Sequence, residues 1–198
     1  MLTTQPARVI TAAVFPRRAA ITAALVVGFA LLTALMAQIV IPLGFTPVPM
    51  TGQTFAVLLA GAALGKTAGA ASQGLYWILG ALGLPFYAEA GGGWEVATGA
   101  TGGYLLGFVA AAWMVGYLAE RRQDRVVLTA IPAFLLGSVI IHLIGVPWLA
   151  GVLQVPWTQA AELGSYPFIA GDLIKVALAG VLLPVAWHYV DRARFSDS

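Results

Sequence analysis

Long apolar segments constrain this chain more than any other feature of its sequence. Residues 21–41 are apolar all round, with Thr22, Thr33 and Gln38 as the only polar exceptions. Such a segment reaches the roughly 20 residues that a helix needs to cross a bilayer, and it exceeds the apolar core of about 7–15 residues in a signal peptide. Composition agrees, because 60% of the residues are hydrophobic and 9% are charged, against about 25% charged in soluble proteins. The sequence therefore predicts an all-α integral membrane protein whose first helix is retained.

Prolines, glycines and charged turns divide the chain into six predicted transmembrane helices. These cover residues 19–41, 55–64, 68–84, 101–119, 126–149 and 172–190. The second is short for a full crossing, so we expect it to begin partway into the membrane, with Thr51 and Gln53 near its start. The longer connections 42–53, 85–99 and 150–171 carry aromatic residues or prolines and no basic residue, which places them outside. We predict an N-terminal tail over 1–18, one six-helix domain over 19–191 and a C-terminal tail over 192–198.

The basic residues support one orientation of these helices. Nine of the ten Lys and Arg lie in the N-terminal segment, at Lys66, in the run 121–125 or near the C-terminus. Basic residues gather in cytoplasmic loops, so both termini are predicted to be cytoplasmic. The same effect accounts for the formal net charge of +2, so we expect no nucleic-acid partner. Lys175 is the exception to the rule.

Asp172 and Lys175 place an acid and a base three residues apart at the start of the last predicted helix. Residues at this spacing share a helix face. Ionisable residues within a membrane cost about 2.5–3.5 kcal/mol each at mid-helix, so they usually line a binding or conduction site. Asp172 could instead act only as an N-cap. Capping does not explain Lys175, because a cation in the first turn faces the positive end of the helix dipole.

No catalytic or cofactor motif accompanies this pair. The sequence contains no P-loop, G-x-S-x-G or H-E-x-x-H motif and no cysteine, so we predict no enzyme activity, metal or cofactor. His142 is interpreted as a packing residue, since nothing nearby completes a metal set. Aromatic and polar residues instead cluster at the predicted outer face, as in a small-ligand pocket, although each aromatic could equally be an interface anchor. The candidate ligand-binding residues are Thr51, Gln53, Tyr87, Trp94, Thr101, Tyr104, Asp172 and Lys175.

Several motifs resemble those of the BioY family, the biotin-specific S components of energy-coupling factor (ECF) transporters. In order, they are residues 47–53 (PVPMTGQ), 74–76 (GLY) with 80–85 (GALGLP), 99–104 (GATGGY) and 167–175 (PFIAGDLIK). The resemblance extends over nearly the whole chain. One departure is Ala100, where the family usually has proline.

The resemblance implies the ECF S-component fold and a multi-pass subunit of the bacterial inner membrane. Such a subunit captures biotin from outside and delivers it inward with an ATP-driven module. Asp172 and Lys175 fall on the family's ligand-contacting acid and lysine. Ala30 and Ala34 would face the transmembrane coupling subunit, which is driven by two ATPase subunits, with an internal packing face as the alternative. Membrane lipid and biotin are the other expected partners.

Two further functions are compatible with the same sequence. The chain could be an S component for another vitamin, such as thiamine or riboflavin, with different pocket residues on a shared fold. It could also be a stand-alone biotin facilitator that works without ATPases. Ligand binding separates the first alternative from biotin capture, and uptake in vesicles without ATPases separates the second.

Overall fold

Helices form most of the structure, a computed structural model that describes residues 9–15 and 18–196, with no side chains described for 194–196. Arg8 and Arg17 of the predicted tail lie outside the described residues. The helices are α1 (Ile10–Val14), α2 (Ala19–Ala37), α3 (Gln53–Leu64), α4 (Lys66–Ala81), α5 (Trp94–Thr98), α6 (Gly102–Ala119), α7 (Val127–Leu153), α8 (Trp157–Gly164) and α9 (Ile169–Ser196). Single 3₁₀ turns occupy Ala88–Ala90 and Tyr166–Phe168. Two strands, β1 (Val40–Ile41) and β2 (Met50–Thr51), pair antiparallel with Val40 opposite Thr51.

Within the described part of the chain, four helical stretches are long and apolar enough to cross a membrane. They are Ala19–Ala37, Gly102–Ala119, Val127–Leu153 and Trp157–Ala193, the last of which contains α8 and most of α9. This confirms the prediction of a mostly helical protein with several membrane-spanning segments. The count of six spans requires α3 and α4 as well, with 12 and 16 residues, and stays a prediction.

The short helix α3 lies at the centre of the molecule, in contact with α2, α4, α6 and α9. Nine of its 12 residues are buried and none is exposed. Small residues allow the neighbouring backbones to approach closely. A Cβ at Gly61 would lie 2.5 Å from the carbonyl oxygen of Ala112 in α6, and one at Gly69 of α4 would lie 2.8 Å from the Gly61 Cα. The centre of the bundle therefore has no space for larger side chains at these positions.

The predicted end of the first helix at residue 41 is wrong, because α2 ends at Ala37. The Gln38 side chain stabilises this helix end with one hydrogen bond to the last turn of α2 and two to the segment 87–90. Its Nε2 donates to the carbonyl oxygens of Ala34 (3.0 Å) and Tyr87 (3.1 Å), and its Oε1 accepts from the Ala90 N–H. The next residues leave the helix as β1. The chain therefore crosses this end of the helix bundle in a loop before it enters α3.

Several connections contain more helix than predicted. The segment 85–99 includes α5, and 150–171 includes α8 and a 3₁₀ turn, so neither is the irregular loop that we expected. Helix α7 continues to Leu153 despite Pro147, as membrane helices often do where neighbouring groups satisfy the freed carbonyl. Helix α4 covers Lys66–Ala81 rather than 68–84. Helix α9 begins at Ile169, three residues before the predicted start.

At the opposite end from residue 172, the turn between α6 and α7 is fastened to α9. The Trp187 indole N–H donates to a carboxylate oxygen of Asp124 at 2.6 Å, and the Arg125 guanidinium lies 3.6 Å from the Trp187 ring centroid. Asp124 and Trp187 are each 2% exposed. Burial raises the pKa of the Asp124 carboxyl above its usual value, and the Trp187 hydrogen bond and the charge of Arg125 offset part of this effect.

Candidate ligand-binding site

A cavity of about 60 Å³ lies where one end of α3, α6, α7 and α9 meets the loops that follow α2 and α4. Seven of the eight predicted ligand-binding residues line it: Thr51, Gln53, Tyr87, Thr101, Tyr104, Asp172 and Lys175. Apolar side chains complete the walls, among them Val48, Phe108, Ile141 and Phe168. Trp94 is not among the lining residues. It is 63% exposed, with its ring 6.2 Å from that of Trp77.

Asp172 is the most connected side chain of the pocket. Lys175 Nζ donates to its Oδ1 at 3.0 Å, and the Ser138 hydroxyl donates to its Oδ2 at 2.9 Å. His142 Nε2 lies 2.8 Å from the same Oδ2. The Asp172 and Lys175 side chains are 9% and 15% exposed. The acid and the base share the helix face that their spacing predicted, and they form a largely buried ion pair.

The interpretation of Asp172 as an N-cap is wrong. Helix α9 begins at Ile169, so Asp172 stands within the first turn, and its recorded side-chain partners are Ser138, His142 and Lys175 rather than backbone N–H groups. The carboxylate is held by side chains from two helices, which fixes its position in the pocket.

His142 is no metal-cluster member among the described residues, in line with its interpretation as a packing residue, but it also contacts Asp172, which the sequence did not indicate. It lies in α7 between α8 and α9, and besides Asp172 it contacts the Gly164 carbonyl oxygen, 3.1 Å from Nδ1. Ser138 and His142 are four residues apart and so share one face of α7. A polar pair at this spacing on an otherwise apolar helix is the signal that could have identified them.

Gln53, at the start of α3, lines the pocket and is held by hydrogen bonds to Thr51 and to Tyr76 of α4. The Gln53 amide oxygen accepts from the Thr51 hydroxyl at 2.6 Å, and its Nε2 donates to the Tyr76 hydroxyl at 2.5 Å. Tyr76 is fully buried and Gln53 is 7% exposed. This network orients the amide before any ligand is present.

Two tyrosines of the pocket pack their rings closely against glycines, and their hydroxyls donate hydrogen bonds to backbone carbonyl oxygens. The Tyr87 hydroxyl donates to Trp77 O at 2.6 Å, and a Cβ at Gly80 would lie 2.4 Å from the Tyr87 ring. Burial raises the pKa of Tyr87 to about 12, so its hydroxyl remains a donor at neutral pH. The Tyr104 hydroxyl donates to Gly164 O at 2.7 Å, and its ring fills the space beside Gly145.

The first loop, residues 38–52 between α2 and α3, covers the pocket and is held at its base and near its middle. Strand pairing of β1 with β2 closes its base, and the Thr46 hydroxyl donates to the Leu163 carbonyl oxygen of α8 at 2.8 Å. Val48 and Pro49 lie over the cavity. The loop therefore acts as a cover held by its strand ladder and by the Thr46 hydrogen bond to α8.

The charged groups among the described lining residues are Asp172 and Lys175, with His142 beside them. The described residues contain no group of three or more His, Cys, Asp or Glu side chains that could hold a metal. A buried acceptor and donor within apolar walls is a composition suited to binding a small polar molecule.

Comparison with known proteins identifies the family. Residues 7–192 match the model of the BioY family. The chain belongs to the BioY family. The Rhizobium etli protein called "Biotin transporter BioY" is 37% identical over 166 residues, which cover 76% of this chain and 88% of that protein. The protein of the same name from Thermotoga maritima is 38% identical, with 81% and 88% of the two chains covered.

A solved structure gives the fold of this BioY chain. The crystal structure titled as the S-component for biotin from an ECF-type ABC transporter superposes with a TM-score of 0.78, at 24% identity, and covers 86% of this chain and 92% of that one. The S-component fold and the multi-pass membrane character are thus shown. BioY proteins are transport proteins, so the prediction that the chain is not an enzyme is confirmed.

Ala30 and Ala34 of this BioY chain do not form an accessible surface. They are 0% and 8% exposed and belong to the same buried cluster as Tyr76. The prediction that this pair faces a partner is therefore wrong, and the alternative of internal packing holds. The exposed side of α2 includes Ala20, Ala24 and Gly28, and a Cβ at Gly28 would meet nothing within 4 Å.

Proposed function

We propose that this chain captures biotin in the pocket around Asp172 and delivers it inward as the S component of an ECF transporter. The observation that carries the proposal is the buried Asp172–Lys175 pair, which lies in a loop-covered cavity of an S-component fold. The names of the relatives support biotin as the ligand.

The free hydrogen-bonding capacity of the pair fits the polar groups of biotin. A carboxylate has about four acceptor positions, and three on Asp172 are taken by Ser138, His142 and Lys175. One position remains for a ureido N–H. Lys175 has three donors and uses one on Asp172, so two remain for the ureido carbonyl or the carboxylate of biotin. The apolar walls suit the fused rings and the aliphatic chain.

The size of the cavity supports capture by a moving cover. Pockets that hold molecules of this kind usually measure about 300–1,000 Å³, whereas this cavity measures about 60 Å³. We propose that biotin enters when the first loop, or the loop between α4 and α5 that carries Tyr87, moves outward. Outward movement of the first loop would break the Thr46 hydrogen bond to α8.

Titration calorimetry with the purified protein in detergent tests the ligand assignment. We expect saturable binding of biotin and none of thiamine or riboflavin, which represent the alternative S components. An absence of heat with biotin, or saturable binding of thiamine or riboflavin instead, would end the proposal for this pocket.

The proposal also includes six spans with both termini in the cytoplasm of a bacterium, and docking on a coupling subunit with two ATPases. The exposed small residues Ala24 and Gly28 of α2 would permit close approach of a partner helix. Because only 17% of α2 is buried in the isolated chain, the helix has free surface for such a partner.

Bulky substitutions on the two sides of α2 test the docking step. Ala24→Trp with Gly28→Trp should leave biotin binding and the melting temperature unchanged but reduce ATP-dependent uptake in vesicles that contain the module. The matched variant Ala30→Trp with Ala34→Trp should lower the melting temperature, because both sites are buried. Full uptake by the first variant would rule out docking on this side, and uptake in vesicles without ATPases would favour a facilitator.

A further inference from the structure

His142 faces hydrogen-bond acceptors with both of its ring nitrogens. Nδ1 lies 3.1 Å from the Gly164 carbonyl oxygen, and Nε2 lies 2.8 Å from Asp172 Oδ2. A carbonyl oxygen can only accept, and an ionised carboxylate can only accept. The side chain is 18% exposed, so bulk water offers little replacement for a lost partner.

A neutral imidazole carries a single N–H and can satisfy only one of these two acceptors. With Asp172 ionised and His142 neutral, one contact would place two lone pairs against each other at hydrogen-bond distance. The conflict disappears when one further proton lies between Nε2 and Oδ2, bound to either atom. Nδ1–H then donates to Gly164 in both cases, so the hydrogen-bond geometry fixes the number of protons.

We infer that His142 and Asp172 share one proton, and that His142 thereby gives the pocket a net charge of +1 that selects an anionic ligand. The His142–Asp172 pair together is neutral, and Lys175 supplies the remaining charge. Among the described residues, the titratable groups that line the pocket with His142 are Asp172 and Lys175 from α9, Tyr104 from α6 and Tyr87 from the loop between α4 and α5. His142 is thus a specificity-determining residue, and a carboxylate is the ligand group that it favours.

This inference rests on the proposed function and concerns the carboxylate of biotin. Biotinamide is the matched probe, because it has the same size and ureido ring but carries no charge. We expect the unmodified protein to bind biotin at least about tenfold more tightly than biotinamide. Without the shared proton the pocket would be neutral, and the two ligands would bind alike.

Two variants separate charge from hydrogen bonding at the same carboxylate oxygen. His142→Gln can still donate to Asp172 but holds no extra proton, so the ratio of biotin to biotinamide affinity should fall several-fold toward one. Ser138→Ala removes the other donor to Oδ2 without changing the charge, so it should weaken both ligands and leave the ratio unchanged. An unchanged ratio in His142→Gln, or no preference for biotin in the unmodified protein, would overturn the inference while biotin capture stands. If the unmodified protein binds neither ligand, the proposed function itself fails.

A spectroscopic measurement tests the proton directly, even if His142→Gln does not fold. The sequence contains two histidines, and His188 is exposed at the far end of α9. A His188→Gln protein labelled with ¹⁵N-histidine therefore reports on His142 alone. We expect a protonated Nδ1 and a hydrogen-bonded proton between Nε2 and Asp172 at neutral pH. A neutral ring with its only proton on Nε2 would contradict the inference.

Discussion

The buried ion pair should respond asymmetrically when its two members are removed. In Lys175→Met, Asp172 keeps Ser138 and the proton shared with His142, so the loss of stability should be small, about 1 kcal/mol or less. In Asp172→Asn, the amide can satisfy His142 and Ser138, but Lys175 becomes a buried cation without a counter-charge. Breaking a buried pair in this way costs about 3–5 kcal/mol. The double variant removes the cation as well and should recover most of that loss.

Melting curves in detergent without ligand, measured beside biotin titrations, test this expectation. For a chain of this length, 3–5 kcal/mol corresponds to a drop in melting temperature on the order of 10 °C. Each single variant should also bind biotin about ten- to a hundredfold more weakly, the scale of hydrogen bonds to charged groups. The double variant should be stable yet remain weak in binding. If it melts as low as Asp172→Asn, the cation is not the cause of the instability, and if it binds biotin at native affinity, the pair is not part of the site.

Three further predictions concern the surroundings of the pocket and the opposite end. Thr46→Val should speed both binding and release of biotin in stopped-flow measurements, because it removes the hydrogen bond that ties the cover to α8, and unchanged rates would show that the cover opens elsewhere. Asp124→Asn should raise the melting temperature at pH 8 but not near pH 4. The raised folded-state pKa of Asp124 means that folding favours the protonated acid, so the stability of the unmodified protein falls as pH rises above about 4. A constant gain in melting temperature at all pH values would contradict this explanation. Gly164→Ala should destabilise the folded protein by about 1–3 kcal/mol through overpacking against Tyr104. The control Gly151→Ala should not, because a Cβ there meets nothing within 4 Å. Equal melting temperatures of the two variants would refute the packing argument.

The polar positions of the pocket could be predicted because polar residues are rare in this sequence and costly in a membrane. Seven of the eight predicted binding residues line one cavity. The partner of Asp172 in α7 was missed for a different reason. His142 gains its role from a contact with a residue 30 positions away, and nothing in its own neighbourhood fixes which helix it will face.

The buried face of α2 could not be predicted from hydrophobicity, for a reason that is specific to membrane proteins. In water, hydrophobicity distinguishes the buried face of a helix from the exposed one. Helix α2 is apolar all round, and lipid tails are as apolar as a protein core, so the inward position of Ala30 and Ala34 leaves no mark in composition. The short helices α5 and α8 were missed because brief segments owe their structure to tertiary contacts more than to their own sequence.

The burial of α3 has a consequence for how the protein responds to its membrane. Its 12 residues span about 18 Å, well short of a hydrocarbon layer of about 30 Å. A helix so short would force lipids to thin around it if it touched them, at a cost that grows with each ångström of hydrophobic mismatch. Because nine of its residues are buried and none is exposed, α3 is surrounded mainly by protein rather than by acyl chains. The depth of the pocket at its N-terminus is therefore set by the surrounding helices and should stay constant in bilayers of different thickness.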